Sequence, residues 1–222
     1  MAESVGISRI ERAPGLPVAG MLVHVADVGL VAVVRADDPK ARQRFSLAHE
    51  IGHALLHTRG VRSDLSCRDT EVERVCDRIA AELLLPRRLY QTGDRSDVLE
   101  HALEIADRCC ASPTAAARRL VDIHPGLVLI AWSTRTRPGS TAKLRVLWPY
   151  KARGVFVPTY DTPPDELGLQ DLDRGEVATR IVALRLGSLS GEYEVESVRL
   201  RYPNQSKSGR LAEILSLVRV TP

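Results

Sequence analysis

RFSLAHEIGHALLH, residues 44–57, sets two histidines four positions apart, with a glutamate directly after the first, in a stretch that is otherwise mostly apolar. Ionisable side chains are seldom buried without compensation, and a metal ion is one form it takes. Phe45, Ala48, Gly52, Leu55 and Leu56 recur at three- and four-residue spacing, which predicts a helix from about Ala41 with Gly60 as its C-terminal cap. On such a helix His49 and His53 share a face one turn apart, close enough to hold one ion. Glu50 is rotated by about 100° and stands beside the ion as a base rather than a ligand.

This H-E-x-x-H spacing is that of zinc peptidases, and a catalytic zinc normally takes a third protein ligand and leaves its fourth position to water. EVERVCDRIAAELLLP, residues 71–86, supplies the candidate. Thr70 opens this second helix, Val72, Val75, Cys76, Ile79, Ala80, Leu83 and Leu84 form its apolar stripe, and Pro86 ends it near Leu85. Glu73 and Asp77, one turn apart, divide the work: Glu73 as the third ligand, Asp77 as acceptor of a hydrogen bond from the far nitrogen of a ligating histidine. Two other readings stand beside these. Thr70-x-x-Glu73 is also a capping box, and Asp77 also suits a solvated face. Glu71 is the reserve ligand. His57, rotated about 80° from His49, takes a supporting place behind the ligands. Tyr90, His101 and His124 could each donate to a developing oxyanion, but no spacing selects one and all three suit the surface.

Working outward, residues 20–35, GMLVHVADVGLVAVVR, read as a strand or hairpin, followed by a turn. SDVLEHALEIADRCC is a third helix capped by Ser96 or Asp97, and PTAAARRLVDI a fourth with Ser112 as N-cap and Pro113 at its first position. Together they have the outline of a helix-turn-helix. Beyond Pro125 the helical period gives way to five or six strands: GLVLIAWSTR, AKLRVLWPYK, GVFVPTY, RIVALRLG, EYEVESVRLRY and RLAEILSLVRV. The expected fold is α+β in three parts: a core over residues 1–95, a helix-turn-helix-like segment over 96–124, and a mainly β domain over 125–222.

Composition narrows the function. Hydrophobic residues make up 44% and charged residues 27%, as in soluble globular proteins. No apolar run reaches membrane-span length and the N-terminus lacks a signal-peptide pattern, so a cytoplasmic protein with no membrane partner is expected. Cys67, Cys76, Cys109 and Cys110 fit neither a zinc ribbon nor a disulfide framework, and are expected reduced. The net charge is +3, with no segment basic enough to announce phosphate-backbone binding, so DNA is a weakly supported partner.

RQRFSLAHEIGHALLH, then EVERVCDRIAAELLLP, then SPTAAARRL resemble, in content and order, the ImmA/IrrE family of zinc metallopeptidases, over roughly residues 25–123. The resemblance implies a zincin-like domain with one catalytic zinc (manganese being possible) on His49, His53 and Glu73, and Glu50 as catalytic glutamate. It implies a cytoplasmic peptidase that cleaves an XRE-type helix-turn-helix repressor in a stress-response or mobile-element switch. The family usually has a helical segment ahead of its first strand, where this chain has about twenty residues without a clear pattern, and Asp77 and Ile79 stand where Asn and Phe are commoner. VGLVAVVR, just before the zinc helix, is the expected sheet edge for an extended substrate. The competing readings are a DNA-binding regulator using Arg118 and Arg119, or a repressor-binding module that does not cut, each with a structural metal.

Overall fold

The computed structural model describes residues 2–60, 69–91, 97–135, 143–151, 155–159, 162–205 and 211–220. They form an α+β protein with four α-helices and two sheets. The chain divides into two compact units, residues 1–89 with 107–112, and residues 90–106 with 113–222. No described helix is long and apolar enough to cross a membrane.

In the first unit, β1 (Ile7–Ala13), β2 (Gly20–Val25) and β3 (Gly29–Arg35) form a sheet in the order β1-β3-β2. The expected hairpin is β2 and β3, antiparallel with Leu22 opposite Ala32. β1 runs parallel to β3, with a register shift between Ile7 and Arg9 that breaks the alternation by which a strand is recognised. VGLVAVVR is therefore the centre of the sheet, not its edge; β1 and β2 are the outer strands. The residues ahead of the hairpin carry a strand and a short 3-10 turn at Glu3–Val5.

α1 (Lys40–Thr58) follows, fixed at its start by Gln43, whose amide donates to the carbonyls of Ala36 and Asp38. Gly60, at φ +68, closes it by donating to His57. The face of α1 turned to the sheet is not the stripe of Phe45 and Leu55 read from the sequence. Leu47, Ile51 and Ala54 pack with Ile7, Leu22, Leu30 and Ala32, while Ser46 and Glu50 are buried beside Gly20 at the head of β2 and Gly52 is buried against Cys76. A helix covered on more than one side cannot show a single apolar stripe. α2 (Thr70–Leu84) lies across it; a Cβ on Gly52 would come within 3.0 Å of Cys76 Cα, so the two helices meet where glycine leaves room. Cys76 is buried against this contact and Val75 is exposed, whereas the sequence placed both in one stripe.

The second unit holds most of α3 (Val98–Arg108), all of α4 (Pro113–Ile123), and a five-stranded antiparallel sheet in the order β5-β4-β8-β7-β6. Its strands are β4 (Leu127–Arg135), β5 (Lys143–Lys151), β6 (Val177–Leu186), β7 (Leu189–Gln205) and β8 (Leu211–Arg219). The described part of GVFVPTY, residues 155–159, is not a strand; Val157 and Leu167, Leu169 and Leu172 further on cover the face bearing Val128, Ile130 and Trp132. Arg199 ties this cover down by donating to the carbonyls of Leu169 and Gln170. α4 packs on β4 and β5 through Ala116, Ala117, Leu120 and Val121. The start of α3 is held by Glu196 of β7, which accepts from the Leu99 amide at 2.8 Å. Within the sheet, Trp132 Nε1 donates to Ser216, whose hydroxyl meets that of Ser197 at 2.8 Å. Both tryptophans of the chain, Trp132 and Trp148, belong to this unit. Cys76, Cys109 and Cys110 are free thiols; Cys67 and Ser96 lie outside the described residues.

Candidate metal centre

The helical period sets the first half of the site. His49 and His53 project from successive turns of α1, their ring centroids 4.9 Å apart and their Nε2 atoms 3.1 Å apart. α2, brought close by Gly52, supplies the second half. Glu73 directs one carboxylate oxygen to within 3.2 Å of His49 Nε2 and the other to within 3.4 Å of His53 Nε2. Ligand atoms of these three residues all lie within 4.8 Å of one another. Donors bound tetrahedrally at about 2.0–2.1 Å are separated from each other by about 3.4 Å, so the spacings fit one small cation.

Protonation makes the fit more specific. Asp77 Oδ1 lies 2.9 Å from His49 Nδ1, and the carboxylate accepts that proton. The ring is thereby held in the tautomer whose Nε2 carries a lone pair. A lone pair and a carboxylate facing each other at 3.2 Å repel unless a proton or a cation lies between them. Burial lowers the His49 pKa, but the hydrogen bond to Asp77 and the charges of Glu50, Asp77 and Glu73 outweigh it and raise the pKa overall. The site thus attracts positive charge whichever form it takes.

Glu50 is 6% exposed. Burial pushes its carboxyl up to about 7; the His49 charge opposes the rise and Glu73 adds to it. A cation nearby reverses that logic and favours the carboxylate. Gly20, first residue of β2, lies directly against it: a Cβ there would stand 2.9 Å from Glu50 Oε1.

The other sequence candidates are distributed as follows. Asp69, not Thr70, caps α2, accepting from the Glu71 amide at 2.8 Å, and the Glu73 amide donates to the Asp69 carbonyl. The capping-box reading of Glu73 is therefore overturned, because Thr70 is already inside the helix. Glu71 is exposed and outside the group. His57, in the last turn of α1, is partly buried and also outside it. Tyr90, expected on the surface, is fully buried, and its hydroxyl donates to the Ala116 carbonyl. His101 pairs with Glu104, and His124 Nε2 lies 3.4 Å from the Tyr90 carbonyl. Gly20's contact with Glu50 and Gly52's with Cys76 escaped the sequence reading, which counted Gly52 only as part of a helical stripe, since each matters through a neighbour distant in the chain.

Residues 16–121 match the profile of the IrrE N-terminal-like domain, Peptidase_M78. The match covers a little under half of the chain and takes in the three segments that carried the resemblance. Among solved structures, a Mycobacterium tuberculosis transcriptional regulator is similar in fold, with a TM-score of 0.53 and 13% identity over 98% of this chain and 67% of that one. No curated protein matches the chain.

Proposed function

We propose that the chain is a metal-dependent endopeptidase, with zinc as the expected ion, that makes a site-specific cut in an XRE-type helix-turn-helix repressor in the bacterial cytoplasm. The observation that carries this reading is the convergence of His49 Nε2, His53 Nε2 and the Glu73 carboxylate, with Asp77 on the far nitrogen of His49. Two imidazoles and a carboxylate discriminate weakly among divalent ions, so manganese is the alternative. When bound, the ion supplies Lewis acidity and a water of lowered pKa, toward about 7. His49, His53 and Glu73 hold it, and Asp77 keeps His49 in its ligating tautomer. Glu50 takes the proton of the attacking water and returns it to the leaving amine. An extended substrate suits the outer strand β2, which passes Glu50 at Gly20 and has no strand on its far side among the described residues. Backbone pairing alone selects little, so recognition of the repressor rests on a docking surface elsewhere.

The similarity in fold to a protein described as a transcriptional regulator favours a second reading, direct control of transcription through α3 and α4. Against it, Arg118 on the would-be recognition helix is turned to the sheet: its guanidinium lies 4.2 Å over the Trp148 ring and 5.3 Å from that of Tyr150. The deciding experiment mixes the purified chain with an XRE-type helix-turn-helix repressor from the same genome, with zinc or with chelator, and follows the partner's mass. One new cleavage that needs zinc and falls by about 10²–10⁴-fold in Glu50→Gln supports the peptidase. Cleavage by Glu50→Gln at the wild-type rate would falsify it. An intact partner that co-elutes favours sequestration, and salt-sensitive binding of a promoter fragment without any partner favours the regulator.

A further inference from the structure

We propose that Gly20 is the positioning residue for Glu50: the missing side chain at the head of β2 leaves the space in which the Glu50 carboxylate stands, and any side chain there displaces it. The proposal rests on the reading of Glu50 as the base. The geometry behind it is local. Gly20 pairs with Val34 in the centre strand, so its backbone is held by the sheet. From that fixed place a Cβ would meet Glu50 Oε1 at 2.9 Å, Ser46 Cβ at 3.3 Å and Glu50 Cγ at 3.4 Å.

Backbone conformation does not demand glycine here, because Gly20 is absent from the positive-φ residues. Contact does. Ser46 and Glu50 occupy successive turns of α1, and both are 6% exposed, so the helix presses that face onto the strand. Of the three atoms a methyl would meet, Ser46 Cβ is fixed to its helix and Glu50 Cγ is close to it. Only the carboxylate can swing. A methyl at position 20 therefore moves the group whose placement sets the rate, because a proton-transfer base must stay within hydrogen-bond reach of its water. Ile10, on the opposite outer strand β1, is 38% exposed and stands away from β2, which makes it the internal control.

The test uses the full chain and two independent readouts. In ion-free protein, thermal melts are compared for wild type, Gly20→Ala, Glu50→Ala and the double variant. The expected result is a Tm loss of a few degrees for Gly20→Ala, cut to less than half once Glu50 is shortened to alanine, because the added methyl then enters vacated space. In zinc-loaded protein acting on the helix-turn-helix repressor that the wild type cuts, Gly20→Ala should lower kcat at least tenfold. KM should stay within twofold and zinc content should not change, while Ile10→Ala stays within twofold throughout. Equal Tm losses in both backgrounds, or an unaltered kcat, overturn the proposal. If Gly20→Ala does not fold, folding of the double variant supports it and failure of both refutes it. A wild-type chain that cuts nothing overturns the peptidase reading and the role built on it, while the melts decide the contact alone.

Discussion

One hydrogen bond, from His49 Nδ1 to Asp77, decides which ring nitrogen is left to meet an ion, and it is the most consequential single contact of the site. Replacing Asp77 by alanine frees the ring to take the other tautomer; zinc affinity, measured by competition with a chromophoric chelator, should fall about 10–100-fold. Glu50 gives a second prediction, on ion-free protein. Burial pushes its carboxyl up to about 7, from an ordinary carboxylate value of about 4.5, so the native state binds the proton more tightly than the unfolded chain. That stabilisation is complete below about pH 4.5 and is lost as pH rises through 7. Ion-free Glu50→Gln should therefore gain stability over wild type on going from pH 5 to pH 8, by up to the order of 3 kcal/mol, read from urea midpoints. The grouping of His49, His53 and Glu73 was legible in the sequence, because a single helix turn fixes the His49–His53 spacing and the Glu73–Asp77 spacing. It could not reveal Gly20, whose contact with Glu50 joins a strand to a helix and leaves no periodic trace.

At the level of elements, the meeting of α1 and α2 at Gly52 and Cys76 brings a carboxylate from one helix to the imidazoles of the other. Gly52→Val forces bulk against backbone atoms of Cys76, which cannot rotate out of the way. It should cost about 1–3 kcal/mol of stability and weaken zinc binding together with it, measured by denaturation and by zinc titration. The helices and the β2–β3 hairpin were legible because their periods are strong and their ends are marked by Gly60, Pro86 and Pro113. β1 was not, since its register shift and its exposed Ser8, Arg9 and Arg12 hide a strand that pairs on one side only. Missing β1 also misplaced the sheet edge: β3 looks like an outer strand only until a parallel neighbour is found on its far side. GVFVPTY has the composition of a strand, but Val157 reaches the core from irregular chain.

On the scale of the whole molecule, each unit carries its own core, and what closes the second is a contact far apart in sequence. Glu196 is 2% exposed and accepts at the first turn of α3, with Arg219 Nη2 3.8 Å away. Burial raises its pKa, and the backbone hydrogen bonds and Arg219 oppose the rise. Glu196→Ala leaves the Leu99 amide buried without its acceptor and should cost about 1–3 kcal/mol, seen as an earlier urea transition in tryptophan emission. No sequence pattern links a strand near the C-terminus to the head of a helix near the middle, so this clasp is invisible before the fold is known. The location of the two indoles has a practical corollary. Tryptophan emission reports only the unit that lacks the histidine pair, so that signal does not read damage confined to the unit that carries it. Calorimetry, which registers the heat of both units, is an assay in which lesions of the unit bearing His49 and His53 come to light.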